Sequence, residues 1–206
     1  MNKKIILDVC GTLYHSNTTF DFIDYFLDKK NKCIIKRKLL KFWIFKFFFI
    51  VLGKLFKNDI YRRLYIRLLK DFPQNELTKE AKIFTKEILE TKKILQIHNI
   101  IDDIKKDDII ICSASLDIVI KEISSILNIK NYFATNLIFE GGYCLGEIRH
   151  DLLGRKDKLF NKVDLVITDN KSDLLLIKKS SKYIIVSEKK NLYFWKKNKI
   201  TVDIII

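Results

Sequence analysis

One proline and six glycines in 206 residues leave no material for long flexible linkers or a fibrous repeat. Long apolar runs are also missing. The uninterrupted stretch Phe47 to Gly53 falls far below the roughly 20 residues that cross a bilayer, so a membrane span is not expected. The first apolar stretch, Ile5-Ile6-Leu7, meets Asp8 too early to be the core of a secretory leader, so the amino terminus is read as structural. The four cysteines, Cys10, Cys33, Cys112 and Cys144, lack the paired spacing of a zinc site or a disulfide framework. They read as reduced thiols, and the expected compartment is the cytoplasm. No internal repeat or low-complexity tract stands out beyond a bias toward Lys and Phe.

What is present is enough apolar residue for a real core, 48% of the chain, together with a formal charge of +14. Its placement matters more than its size. Between Asp28 and Lys70 fourteen Lys or Arg face two acids, so this stretch supplies +12 of the +14 and the remainder is nearly neutral. The same stretch holds Phe42 to Phe56, in which seven of fifteen residues are aromatic. As a helix it would be apolar nearly all round. Two readings of it stay open: a cap helix packed on its neighbours over an active site, or a helix lying in an anionic membrane interface with Lys stems reaching the headgroups. The second would place the protein peripherally on the inner membrane face. No nucleic acid partner is expected, and oligomeric state is not legible.

Patterning divides the chain. Thr19 to about Lys70 reads as helical with Thr18 or Thr19 as N-cap, Pro73 marks a break, and Leu77 to about Ile104 returns to helix. Ile109 to Cys112 reads as a strand buried on both faces, Leu116 to Leu127 as helix and Tyr132 to Thr135 as strand. Leu137 to Arg149 carries Gly141-Gly142 between alternating residues, as a β-hairpin would. A short helix over Leu152 to Lys162 and strands over Val163 to Ile167, Tyr183 to Ser187 and Ile200 to Ile206 follow. The predicted fold is α/β, a mainly parallel Rossmann-like sheet flanked by helices, with an all-helical cap inserted after the first strand. The expected division is residues 1–15 and 89–206 as core, and 16–88 as cap.

The chemistry centres on two strand ends. Ile5 to Leu7 delivers Asp8 into Asp8-Val9-Cys10-Gly11-Thr12-Leu13, and Val163 to Ile167 ends in Thr168-Asp169-Asn170-Lys171-Ser172-Asp173. Neighbouring parallel strands would bring these carboxylates to one sheet edge, the edge where open α/β sheets bind ligands, and such a cluster suggests magnesium.

With Ser113-Ala114-Ser115 after a third strand and a lysine in Gly154-Arg155-Lys156-Asp157-Lys158, the chain resembles the haloacid dehalogenase superfamily, in its phosphoserine-phosphatase-like branch, over nearly its whole length. The resemblance implies that Asp8 attacks a phosphoryl group and forms an aspartyl phosphate. It also implies Mg2+ held by Asp8, the Cys10 carbonyl and Asp169, with Asp173 as a further ligand or an orienter. Ser113 would bind a phosphoryl oxygen, and Ser115 would cap the next helix with its amide toward the anion. Lys156, preferred over Lys158 because Leu159 and Phe160 follow it on the core side, would offset developing charge. Gly11, Thr12, Asn17 and Lys158 are further candidates for binding substrate.

Two departures qualify that implication. Family phosphatases carry a second aspartate two residues after the nucleophile as general acid and base, and here that residue is Cys10. Either the leaving group needs little protonation, or another residue such as His15 supplies the proton, or the phosphoenzyme persists long enough for transfer to an acceptor other than water. Asn17 stands near a glutamate of phosphoserine phosphatases, which argues against phosphoserine as substrate. The expected activity is hydrolysis of a small-molecule or lipid-linked phosphomonoester. The alternatives are phosphotransfer through the same phosphoenzyme, or a noncatalytic membrane- or partner-binding protein on this scaffold.

Overall fold

The computed structural model describes residues 3–55 and 59–206; Phe56, the last of the aromatic run, lies outside them. Seven strands form one sheet in the order β4-β3-β2-β1-β5-β6-β7. They are β1 (Ile5–Leu7), β2 (Ile109–Leu116), β3 (Asn131–Glu140), β4 (Tyr143–His150), β5 (Val163–Thr168), β6 (Ser180–Ser187) and β7 (Ile204–Ile205). Among the described strands only the β3–β4 pair is antiparallel. Its turn uses Gly141 and Gly142, both at positive φ, where a side chain would be strained.

β1 is central because all three of its residues are apolar and both faces are covered. Ile5 and Leu7 point into a large core that includes most of the helical segment, whereas Ile6 points into a second core around Leu176, Ile177 and Trp195. The alternation continues in β2, with Ile109 and Ile111 on the first side and Cys112 on the second. Leu7 pairs with Ile111 and with Ile167. The next residue on each of β1 and β5, Asp8 and Thr168, therefore meets at the sheet's carboxyl edge.

Between β1 and β2 every described element is helical: α1 (Thr18–Lys30), α2 (Ile34–Lys41), α3 (Trp43–Leu55), α4 (Ile60–Ile66), α5 (Gln74–Ile83) and α6 (Leu95–Asp102), with short 3-10 and π segments. The long helices expected here are broken. Asn31 and Cys33 adopt left-handed backbone and Phe42 is extended, which separates α1, α2 and α3. Asn17, rather than Thr18 or Thr19, occupies the N-cap of α1. After α5 the helix widens into a π segment at Phe84–Leu89, and extended Lys93 ends it before α6. Phe22 and Phe26 of α1 meet Phe84 and Phe72 edge to face, at 5.6 and 4.7 Å between ring centroids.

After β2 come α7 (Asp117–Ile126), α8 (Leu174–Lys178) and α9 (Leu192–Lys197). The helix expected over Leu152 to Lys162 reduces to one 3-10 turn, Lys156–Leu159. Gly154 has positive φ, and Lys156 is drawn inward by two carboxylates, so the segment cannot keep a regular helical face outward. Leu159, expected toward the core, is 40% exposed, while Phe160 is buried. The last strand is two residues long, and just before it Asp203 brackets Ile185, its amide donating to the Ile185 carbonyl (3.0 Å) and its side chain accepting the Ile185 amide (2.8 Å).

α3 packs against α2 and α4, yet most of its aromatic side chains stay outside the contact. Phe49 alone of its aromatics packs against the main core, while Trp43, Phe47 and Phe48 are 70%, 66% and 53% exposed. No described helix is long and apolar enough to cross a membrane.

Candidate active site

The carboxylate of Asp8 is built from both sides. Its amide donates to the Ile167 carbonyl (3.0 Å) and its Oδ1 accepts the Val9 amide (2.8 Å), so the backbone fixes the side chain at the end of β1. Its Oδ2 lies 2.8 Å from Lys156 Nζ, and the same ammonium reaches Asp173 Oδ2 at 2.8 Å. All three groups are almost wholly buried, with relative exposures of 2–4%. Burial works against the lysine's charge, but Asp8 and Asp173 outweigh it and raise its pKa, so Lys156 is a permanent cation here. Lys158, the other candidate in that motif, is exposed and belongs to a different cavity. The geometry thus separates the two lysines.

Asp169 stands one residue beyond the strand end opposite Asp8. Thr12 holds it twice: the Thr12 hydroxyl donates to Asp169 Oδ1 (3.1 Å) and accepts the Asp169 amide (2.9 Å). Thr12 is fully buried, so it orients Asp169 and has no face toward the cleft where it was expected to bind substrate. Gly11 is required between them. It adopts φ +65, and a Cβ added there would lie 2.2 Å from Asp169 Oδ2. Burial, then the charge of Asp8, push the Asp169 carboxyl up to about 7.

Among the described residues no three His, Cys, Asp or Glu side chains converge as a preformed metal cluster. The chemistry of the donors nevertheless fits a hard divalent cation. Buried Asp8 and half-buried Asp169 are adjacent carboxylates that repel each other, and Asp173 Oδ1 is buried with no hydrogen-bond partner among the described residues. The turn after β1 uses the carbonyls of Val9 and Tyr14 as acceptors and leaves that of Cys10 outside its hydrogen bonds. Two carboxylates, one carbonyl and waters make an oxygen set suited to Mg2+, which keeps much of its hydration. Asp173 is less available as a direct ligand, since its Oδ2 accepts from both Lys156 and Thr168 (2.7 Å).

Cys10 Sγ lies 3.0 Å from Ser115 Oγ and 3.3 Å from Thr18 Oγ1, and it accepts the Thr18 amide at 3.3 Å. Burial and the Asp8 charge push its thiol pKa up, away from the thiolate. Ser115 does not cap α7. It is the penultimate residue of β2, its side chain bonds Cys10 and Thr18, and its amide donates to Ser113 Oγ (3.3 Å). Ser113 is buried within β2.

A cleft of about 910 Å³ opens over this edge, lined by Cys10, Gly11, Asn17, Asp169, Lys171 and His15 among others. Asp8 lies behind that wall, 3% exposed. Asn17 also lines a second cavity of about 1070 Å³, shared by Lys46 and Ile50 of α3 with Gly154, Arg155 and Lys158.

Three residues of this edge escape a reading of motifs. Thr168 ties the two acids, its hydroxyl lying 3.4 Å from Asp8 Oδ2 and donating to Asp173. Arg62 of α4 is buried and reaches across to the sheet, donating to the Ala114 carbonyl, Thr135 Oγ1 (3.0 Å) and Asp151 Oδ1 (2.8 Å). Among fourteen basic residues in one stretch nothing marks it. Asp151, directly after the hairpin, was the only available signal: a lone acid that a buried arginine needs.

No family profile matches the chain, and no curated protein matches it. Solved structures do. A protein of unknown function from Bordetella pertussis Tohama I superposes with a TM-score of 0.73 at 13% identity, over 98% of each chain. A phosphoserine phosphatase from T. onnurineus gives 0.58 at 14% identity, covering 100% of this chain and 90% of its own. A HAD family hydrolase from Salmonella enterica serovar Typhi gives 0.59 at 12% identity, covering 100% and 67%. At these identities the likeness is one of fold: the chain folds as phosphoserine phosphatases and HAD family hydrolases do.

Proposed function

We propose that the chain is a magnesium-dependent phosphomonoester hydrolase in which Asp8 is the nucleophile, working in the cytoplasm with residues 16–88 as the cap that selects substrate. The observation that carries this reading is the buried Asp8–Lys156–Asp173 arrangement beside Asp169. A fold has no need of three buried charges at one sheet edge, and their removal from water costs several kcal/mol per ion. Mg2+, held by Asp8, Asp169 and the Cys10 carbonyl, would offset the charge of substrate phosphate and carboxylate together.

Asp8 attacks phosphorus, the bond from phosphorus to the leaving oxygen breaks, and that oxygen takes a proton from solvent. Water then attacks the aspartyl phosphate, the bond between phosphorus and the Asp8 oxygen breaks, and inorganic phosphate leaves with the carboxylate restored. Lys156 holds Asp8 in place and balances charge that grows on the phosphoryl oxygens, and Ser113 stands at the neighbouring strand to receive one of them. Gly11 gives the backbone a close approach; Asn17 and Lys158 face the path of the leaving group.

Cys10 favours a second reading. Its thiol is committed to Thr18 and Ser115 and held protonated, so it is a poor base for the water step. Transfer of the phosphoryl group from Asp8 to an acceptor other than water follows from the same site. Phosphate release from an aryl phosphate, dependent on Mg2+ and lost in Asp8→Asn, tests the main reading. No release from wild type, with no phosphate incorporated into the protein, would leave only a noncatalytic scaffold.

A further inference from the structure

The helix α3 has two different sides. Lys46, Ile50 and Gly53, spaced four and three residues apart, put one side on the 1070 Å³ cavity. Around the adjoining side Trp43, Ile44, Phe47, Phe48, Val51 and Leu55 are all exposed, Leu55 at 72%. The neighbouring helix α2 adds Ile35 at 83% and Leu39 at 51%. Six exposed apolar residues on one side of α3, beside two more on α2, mark an interaction site.

Charge decides among occupants. Among the described residues no carboxylate pairs with Lys36, Lys38 or Lys46, and the surrounding stretch carries fourteen bases against two acids. A twofold pairing of this face with a second copy would set those lysines against their own kind. A nucleic acid would leave the aliphatic and aromatic side chains without use. An anionic bilayer matches both parts: Trp and Phe enter the acyl boundary while lysines stay with the headgroups. At about 1.5 Å per residue the 13 residues of α3 reach about 20 Å, suited to lying in the plane.

We propose that the α2–α3 face docks on an anionic lipid bilayer and brings the adjoining cavity to the headgroup layer, so that the substrate is the headgroup phosphomonoester of a membrane lipid. The substrate half rests on the phosphatase reading; the docking half does not. Asn17 lines both the cleft over Asp8 and the cavity, so the two adjoin along the path the proposal gives a bound phosphate and its leaving group. Lys46, Arg155 and Lys158, with no carboxylate partners among the described residues, face that path with Phe20 and Tyr61. Cations beside apolar surface suit a headgroup joined to acyl glycerol.

The test uses the full chain with vesicles of phosphatidylcholine, with or without phosphatidylglycerol. Trp43 is exposed and Trp195 is fully buried, so a blue shift of tryptophan emission on docking reports Trp43. Wild type is expected to pellet with the anionic vesicles at low salt and to show the shift; Phe47→Glu/Phe48→Glu, which keeps Trp43 as the reporter, loses both and still turns over a soluble aryl phosphate as wild type does. Release of phosphate from phosphatidate in those vesicles falls by about tenfold or more in the variant. No pelleting and no shift at low salt overturns docking, as does a dimer in solution that this variant dissociates. Equal release from vesicle phosphatidate by wild type and variant, or none from wild type while the aryl phosphate is turned over, overturns the lipid substrate. Docking without any aryl phosphate turnover supports the docking half and removes the phosphatase reading.

Discussion

At residue scale the site turns on which atoms are already engaged. In the proposed phosphatase Cys10 would stand where a second carboxyl gives and takes the proton, yet its sulfur is hydrogen-bonded to Thr18 and Ser115 and its pKa is raised by burial and Asp8. General acid-base catalysis contributes about 10² to 10⁴-fold. Cys10→Asp is therefore expected to raise kcat for a phosphomonoester with a poor leaving group by about 10²-fold, and by much less for an activated aryl ester. Steady-state rates on the two substrate types check this; an equal change on both would count against an acid-base deficit. Gly11 permits a second residue-scale test. Gly11→Ala forces a Cβ into Asp169 from a backbone already at positive φ, so it is expected to lower Tm and weaken Mg2+ dependence together. Lys156→Met leaves Asp8 and Asp173 buried without their cation, a loss of about 3–5 kcal/mol read by urea unfolding.

At the scale of elements the chain is legible where one residue type serves one purpose. Ile5 to Leu7 and, apart from the exposed Asp164, Val163 to Ile167 announce buried parallel strands because their positions face apolar surroundings, and Gly141-Gly142 announces the hairpin because its turn needs positive φ. The helices were legible in kind and not in extent. Cys33 takes a left-handed conformation that its side chain does not signal, and Lys156 leaves a helical pattern because two distant carboxylates pull it inward. Arg62 shows the same limit across elements. It joins α4 to β2, β3 and the segment after β4 through Asp151, a contact between residues 89 positions apart. Burial raises the Asp151 carboxyl, but the Arg62 charge and hydrogen bond outweigh it and hold the pKa below the ordinary value. A depressed carboxylate stabilises the fold above its unfolded pKa of about 3.9 and loses that contribution as pH falls through the folded value. Asp151→Asn is thus expected to destabilise by about 1.5–3 kcal/mol at neutral pH. The difference from wild type shrinks as pH drops below about 4. Denaturant unfolding of both proteins from neutral to acid pH measures it; a gap constant with pH would show that Asp151 acts through shape and not charge.

At the scale of the whole molecule the sheet gathers charges that oppose folding. Asp8, Asp169 and Asp173 come from the carboxyl ends of two adjacent strands, and Lys156 answers only part of their charge: Asp173 Oδ1 is unpartnered, and Asp169 is pushed up to about 7 by burial and by Asp8. Under the proposed function such a fold gives up stability at the edge that would hold the cation, and a ligand that binds only the native state returns it. At a free concentration of about 100 Kd one site adds about 2.7 kcal/mol. Mg2+ is accordingly expected to raise Tm in wild type, whereas the increment from an added monovalent salt at equal ionic strength is small. Asp169→Asn separates the two effects. Removing one of two repelling carboxylates should hold or raise the Tm of the metal-free protein, because Thr12 can still donate to the amide oxygen and accept the backbone N–H. The same change should abolish the response to Mg2+. Thermal unfolding of both proteins with EDTA and with Mg2+ reads both quantities in one experiment. A variant less stable than wild type in EDTA, or one that keeps the full Mg2+ shift, would mean that Asp169 supports the β1 turn structurally and that the cation is held elsewhere.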